Sequence, residues 1–140
     1  MAQILIIDDD VECAAMLAVV LRAEGHRVRI AHDGKHGVKM VTKLVPDVIL
    51  LELTIPGLDG SGVVYRLHFM GDGCELIPIV LLSGHPELVE VAGRLGTPYY
   101  VRKPPILEAL MPILARALLA RIPPTPQRPF EVGTGRITIT

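Results

Sequence analysis

The sequence predicts an α/β fold in which a doubly wound parallel sheet is covered by helices on both faces. Two continuous apolar runs, 3–7 and 48–51, do not alternate with polar residues and are too short for helices, so we interpret them as strands buried on both faces. Segments with helical periodicity alternate with strand-like segments from residue 3 to about 121, without an internal repeat. This alternation is typical of the parallel, doubly wound class.

The first half of the chain is predicted to contain three strands and two helices. They are a strand at 3–7, a helix at 11–24 capped by Asp10, an edge strand at 27–31, a helix from 33–34 to Pro46 with Val38, Val41, Leu44 and Val45 inward, and the strand at 48–51. The first helix carries no charge between Glu12 and Arg22, which is typical of a helix buried on both sides. Its outer face is predicted either to tolerate water or to dock a partner or a second copy of the chain.

The second half is predicted to contain three helices and two strands. They are a helix at 61–70, a strand at 77–82, a short helix from Pro86 to about Arg94, a strand at 97–101 and a helix from about 106 to 121. Pro112 lies in the second turn of the last helix and predicts a kink or a later helix start. Four prolines within 122–129 indicate an extended linker, and alternation at 137–139 indicates a tail strand. We therefore expect a domain at 1–121, followed at 122–140 by a Pro-rich linker and short tail without an output domain.

Composition narrows the classes of partner and location. A formal net charge of −1 gives no electrostatic case for binding nucleic acid. The sequence shows neither a signal-like start nor an apolar run long enough to span a membrane, so we expect no membrane association. Cys13 and Cys74 lack metal-ligand spacing, and two free thiols favour a cytoplasmic protein. The hydrophobic fraction of 50% leaves room for an apolar surface patch that binds a protein partner.

Polar side chains stand at the carboxyl ends of four predicted strands. These side chains are Asp8, Asp9, Glu52, Ser83 and Lys103. In open α/β sheets, ligands bind at this edge. Three neighbouring carboxylates repel one another unless a cation lies among them, and Mg²⁺ prefers oxygen ligands. With a hydroxyl and an ammonium group beside them, these residues predict a site that binds a phosphoryl group.

Four segments, 6–10, 46–60, 79–84 and 100–104, carry a family resemblance. Through them, residues 3–121 resemble the receiver domain of two-component response regulators. The resemblance implies a flavodoxin-like three-layer sandwich, as in chemotaxis receivers, with a five-stranded parallel sheet in the order 2-1-3-4-5. It also implies weak magnesium binding by Asp8, Asp9, Glu52 and the backbone carbonyl of Thr54. Ser83 would be the switch hydroxyl, Tyr100 the aromatic that reports the switch, and Lys103 the lysine that pairs with the phosphoryl group.

The chain departs from the family at the acceptor position, where aspartate is replaced by Glu52. One extra methylene moves the carboxylate by ~1.5 Å, which is costly where in-line geometry is required. The longer side chain also brings the permanent charge of the Glu52 carboxylate closer to Ser83 and Lys103, where it would partly mimic a phosphoryl group. If Glu52 bonds to either of them, we expect Tyr100 to lie inward.

Three functions remain open at this point. The first is a stand-alone degenerate receiver that acts without phosphorylation, through protein contacts of its fourth helix, fifth strand and fifth helix. The second is a working phosphorelay receiver that is phosphorylated by a histidine kinase. The third is a metal-dependent phosphatase, which the missing second acidic motif disfavours, so we expect a signalling module and not an enzyme. The partner would be a histidine kinase, a phosphotransfer protein or a downstream effector, and a homodimer is a further option.

Overall fold

The computed structural model describes residues 1–127, and within them a five-stranded sheet alternates with five α-helices. The strands are β1 (Gln3–Ile7), β2 (Arg27–Ala31), β3 (Val48–Leu51), β4 (Ile79–Ser83) and β5 (Tyr99–Arg102). The helices are α1 (Val11–Ala23), α2 (Gly34–Lys43), α3 (Gly60–Met70), α4 (Leu88–Leu95) and α5 (Leu107–Ala120). A short 3-10 turn, Cys74–Leu76, lies between α3 and β4.

The strands are all parallel and lie in the order β2-β1-β3-β4-β5, which confirms the predicted fold class and strand order. The register aligns their carboxyl ends, because Ile7 pairs with both Ala31 and Leu51, and Ser83 pairs with Arg102. The residues that follow these strand ends therefore meet at one edge of the sheet.

Two hydrophobic cores lie on opposite faces of the sheet, because alternate residues of a strand point to opposite sides. Leu5 and Ile49 belong to the core that contains residues of α2, α3 and α4. Ile4 and Leu50 belong to the core that contains residues of α1 and α5. All four side chains are at most 1% exposed, so the continuous apolar runs are strands covered on both faces, as predicted.

Helix α2 ends earlier than predicted. It stops at Lys43, and Leu44 and Val45 are 49% and 48% exposed, so the prediction that they point inward is wrong. Pro46 disfavours helical geometry in the residue before it, which limits the helix from this side. The guanidinium of Arg29 donates to the carbonyl of Leu44, just past the end of the helix. It also donates to the carbonyl of Met40, which already accepts from the N–H of Leu44.

Helix α4 starts later than predicted, whereas helix α5 starts close to its predicted residue. Helix α4 begins at Leu88 and not at Pro86. Helix α5 runs through Pro112 without a break, so a later start is wrong. Pro112 and Glu108 both lie on exposed positions, where the Glu108 carbonyl that loses its helical donor can be solvated.

The outer face of α1 is exposed. The side chains of Ala14, Leu17, Ala18 and Leu21 are buried. By contrast, Met16 is 42% and Val19 is 66% exposed, so burial on both sides is wrong for this helix. Ala14 and Ala18 pack in the core on the sheet side of the helix, where their small side chains allow close packing.

The segment after α5 has neither helix nor strand up to Gln127. The predicted tail strand at 137–139 lies outside the described residues. Within residues 1–127, no helix has the length and apolar character needed to cross a membrane.

Candidate functional site

The candidate site lies at the carboxyl edge of the sheet, where four strands end side by side. Asp8 follows β1, Glu52 follows β3, Ser83 ends β4 and Lys103 follows β5. A cleft of about 490 Å³ opens here. Its lining includes Asp9, Asp10, Glu52, Thr54, Ser83, Gly84, His85, Pro86 and Lys103. The parallel register therefore gathers these predicted polar residues from distant parts of the chain.

Lys103 lies at the centre of this site. Its Nζ is 2.6 Å from Oδ2 of Asp8 and 3.0 Å from Oε1 of Glu52. The side chains of Asp8 and Glu52 are only 2% and 9% exposed, and that of Lys103 is 15% exposed. Two buried carboxylates repel each other, so the ammonium between them provides the cation that the sequence argument required.

Burial and ion pairing act on these groups in opposite directions. Burial raises the pKa of Asp8, while the hydrogen bond from Lys103 opposes that rise. Burial alone would lower the pKa of Lys103, but its hydrogen bonds to Asp8 and Glu52 outweigh this and raise the pKa above its ordinary value. Lys103 is therefore charged at neutral pH.

The second oxygen of each carboxylate accepts a backbone hydrogen bond. Oδ1 of Asp8 accepts from the N–H of Asp10 at 3.0 Å, and Oε2 of Glu52 accepts from the N–H of Thr54 at 3.1 Å. Every oxygen of the two carboxylates thus has a donor. The side chain of Glu52 is held at both oxygens, by Lys103 on one and by the Thr54 amide on the other.

Three predicted site residues take no part in the ion pairs of this cluster. Asp9 is exposed. Ser83 is fully buried, and its Oγ accepts a hydrogen bond from the N–H of His85 at 3.1 Å, while Glu52 contacts Lys103 and not Ser83. Tyr100 is 37% exposed, so the expectation that it would lie inward once Glu52 bonds to Lys103 is wrong. The alternation along β5 instead buries Tyr99 and turns Tyr100 outward.

In this arrangement Lys103 holds the two carboxylates that a magnesium ion would need. Oxygen donors suit magnesium in kind. However, residues 1–127 hold no group of three or more His, Cys, Asp or Glu side chains that could bind a metal. Asp8 and Glu52 are turned towards Lys103. Magnesium binding by Asp8, Asp9, Glu52 and Thr54 stays a prediction.

Two histidines border the site although the sequence pattern assigned them no role. Nδ1 of His32, which follows β2, hydrogen-bonds to the carbonyl of Asp8 at 3.0 Å. The carbonyl of His85, which follows β4, accepts from Nη1 of Arg102 at 2.8 Å. Both contacts involve a backbone carbonyl, so they hold the backbone at Asp8 and the loop at His85 in place beside the site. The rule that strand ends meet at one edge could have identified both.

An apolar groove lies beside the site, between α4, β5 and α5. It has a volume of about 340 Å³. Its lining includes Leu88, Val89, Tyr100, Val101, Arg102, Pro104, Ile106, Ala109 and Ile113. Val89 is 52% and Ile106 is 61% exposed, so the groove presents apolar surface to solvent. The loop that begins at Ser83 leads directly into α4 and thus joins the ion-paired cluster to this groove.

Comparison with known proteins gives consistent matches. The family described as "Response regulator receiver domain" matches residues 4–115. The DNA-binding response regulator MtrA of Mycolicibacterium smegmatis is 34% identical over 139 residues, which is 98% of this chain and 59% of that protein. MtrA of Mycobacterium tuberculosis is 38% identical over 104 residues, which is 73% of this chain and 44% of that protein. The chain therefore spans about half the length of the curated relatives it matches.

Solved structures share the fold. A putative response regulator from Chloroflexus aurantiacus superimposes with a TM-score of 0.76 at 29% identity, over 85% of this chain and 98% of that one. The chemotaxis protein CheY4 of Vibrio cholerae gives a TM-score of 0.75 at 26% identity, over 83% of this chain and 98% of that one.

Proposed function

The chain belongs to the response regulator receiver family, and from that premise we propose that it is a receiver in which an internal ion pair has taken the place of phosphorylation. The observation that carries this proposal is the bridging position of Lys103, 2.6 Å from Asp8 and 3.0 Å from Glu52. In this proposal the fixed charge of Glu52 biases the state of the site without phosphorylation. The module then signals through protein contacts and catalyses no reaction of its own.

Two features of Glu52 argue against its phosphorylation. Attack on a phosphorus atom requires a carboxylate oxygen placed in line with it, and a displacement of ~1.5 Å from an extra methylene is costly for such a step. Both oxygens of Glu52 are also engaged, by the Lys103 ammonium and the Thr54 N–H. A phosphodonor would have to compete with both contacts.

Glu52 is only a partial mimic of a phosphoryl group. Its carboxylate brings one negative charge next to the Lys103 ammonium, whereas a phosphoryl group would bring nearly two. Its hydrogen bonds are with Lys103 and Thr54 and not with Ser83. Tyr100 is exposed in the same arrangement. We therefore propose that Glu52 biases the site without driving a complete switch.

In this proposal the bias at the site changes partner binding at the groove between α4, β5 and α5. Its exposed apolar residues, including Val89 and Ile106, suit a protein partner. The curated relatives are DNA-binding response regulators, and DNA binding by a longer protein that contains this chain is a separate proposal. The described domain shows no reason to assign DNA binding to the groove, because its lining is mainly apolar.

A working phosphorelay receiver is the second candidate, because Asp8, Ser83 and Lys103 still stand together at the strand ends. Incubation with acetyl phosphate and magnesium, followed by intact-mass measurement, distinguishes the two. We expect no change in the mass of the wild-type chain, whereas Glu52→Asp, which keeps every other site residue, should gain a phosphoryl group. A stable mass increase of the wild type that maps to Glu52 would overturn the first candidate and favour a histidine kinase as partner.

A further inference from the structure

The chain does not leave the domain at the end of α5. Arg121 adopts left-handed backbone geometry, with φ of 52°, and turns the chain back. The N–H of Ile122 then donates to Oη of Tyr99 at 3.3 Å. Pro124 is buried. Residues 122–127, which we call the strap, therefore begin as a packed segment.

The strap continues across the carboxyl end of α4 to α3. The N–H of Thr125 donates to the carbonyl of Gly96 at 3.3 Å, and the N–H of Gln127 donates to the carbonyl of Arg94 at 2.9 Å. The hydroxyl of Tyr65, on α3, donates to the carbonyl of Gln127. Two strap amides and one strap carbonyl are thus paired with α3 and with the end of α4.

The close approach of the strap depends on Gly96. This residue ends α4 in left-handed geometry, with φ of 67°. A Cβ at this position would lie 2.3 Å from the backbone oxygen of Thr125, which is closer than any side chain tolerates. Glycine therefore serves both the turn after α4 and the contact with the strap.

The strap adds a hydrogen bond at the end of α4. The last four carbonyls of a helix lack intrahelical donors. The N–H groups of Gly96 and Thr97 serve Gly93 and Ala92, and the N–H of Gln127 serves Arg94. Helix α4 has only eight residues and no side-chain cap at its first turn. Helices this short are marginal on their own, so an added partner at the last turn matters to α4.

We propose that the strap couples the exit of the chain to the position of α4. Docking of the strap stabilises the last turn of α4, and by linkage a movement of α4 that displaces Arg94 or Gly96 releases the strap. Because α4 also lines the apolar groove, a partner bound there would change how firmly the strap is held. The proposal stands on contacts of Tyr65, Gly96 and the strap, and it holds whatever the state of Glu52.

The test is hydrogen exchange of the full chain, resolved by residue. Tyr65→Phe removes only the hydroxyl and keeps the ring that stacks on Phe69, with centroids 6.4 Å apart. We expect about tenfold faster exchange at the Thr125 and Gln127 amides, and a smaller increase in the last turn of α4. Trypsin cleavage after Arg121 should accelerate in parallel. Unchanged exchange of α4 beside a released strap would overturn the coupling.

A second variant tests the glycine. Gly96→Ala should release the strap more fully than Tyr65→Phe, because the added Cβ collides with Thr125. Gly25→Ala is the control for left-handed strain, since Gly25 has φ of 91° and nothing within 4 Å of an added Cβ. Gly93→Ala, in open space on α4, is the control for the helix itself. If wild-type Thr125 and Gln127 exchange as fast as unstructured amides, or if Gly25→Ala accelerates strap exchange equally, the proposal is wrong.

Discussion

The ammonium of Lys103 lies 3.0 Å from Oε1 of Glu52, so the longer side chain of glutamate still reaches the lysine at the acceptor position. The same ammonium is 2.6 Å from Asp8, which makes one cation the partner of two buried carboxylates. Removing the cation and removing either anion should therefore have different consequences for stability.

Replacing Lys103 with methionine should destabilise the domain. The substitution keeps the aliphatic chain but leaves Asp8 and Glu52 facing each other without a cation, at 2% and 9% exposure. We expect a loss of about 2–4 kcal/mol in the free energy of unfolding, measured by urea denaturation at neutral pH. Lys43→Met is the matched control, because Lys43 is exposed at the end of α2 and should change stability by less than ~0.5 kcal/mol. Equal effects of the two substitutions would contradict the bridging role of Lys103.

Much of this site could be predicted from the sequence, because the argument needs only strand ends and their register. Asp8, Glu52, Ser83 and Lys103 each follow or end an apolar run, and parallel strands bring such residues to one edge. The partner that Glu52 selects, Lys103 and not Ser83, depends on side-chain rotamers that no periodicity encodes.

Other features were missed because they depend on long-range contacts. The end of α2 is set partly by Arg29 from β2, and the course of the chain after α5 is set by Tyr65 and Gly96. The prolines of 122–129 indicated only that the segment is extended. Sequence patterns report local preference, and these contacts join residues far apart in the chain.

Asp8→Asn should be tolerated at neutral pH and should change the pH dependence of stability. Burial raises the folded-state pKa of Asp8 above its ordinary value. The resulting stability is fully present below the unfolded pKa of about 3.9 and is lost as pH rises through the folded pKa. Asparagine has no carboxyl group to ionise, so the variant does not lose this stability as pH rises. Lys103 keeps Glu52 as its partner.

We therefore expect Asp8→Asn to be more stable than wild type at pH 7 and to lose this advantage near pH 3. Thermal or urea unfolding across pH measures it. A variant that is less stable than wild type at pH 7 but equal to it at pH 3 would show that the charge of Asp8 is net stabilising.

Magnesium should bind weakly, and more tightly to Glu52→Asp than to wild type. An entering ion has to draw Asp8 or Glu52 away from Lys103, which lies 2.6 Å and 3.0 Å from them. The shorter aspartate withdraws its carboxylate from the lysine and returns it towards the oxygen ligands that magnesium prefers. Titration calorimetry is the measurement. Binding to Asp8→Asn as tight as to wild type would place any ion elsewhere.

The last prediction concerns transmission from Glu52 to the groove between α4, β5 and α5. Glu52→Gln keeps the shape of the side chain but removes the charge that pairs with Lys103. A charge-assisted hydrogen bond contributes only ~1.5–3 kcal/mol, so its loss should shift a two-state population by about tenfold to a hundredfold and not abolish either state. If the site biases the groove, partner binding by wild type should exceed that by Glu52→Gln.

Residue-resolved NMR tests this before a partner is known. Amide shifts should then change beyond the site, along the loop from Ser83 to Val89 and at Tyr100, which lines the groove. Glu12→Gln, the same change on the exposed first turn of α1, is the control and should leave these amides unaltered. Shift changes confined to the immediate neighbours of Glu52 would mean that the ion pair is structural and that the groove acts without a switch.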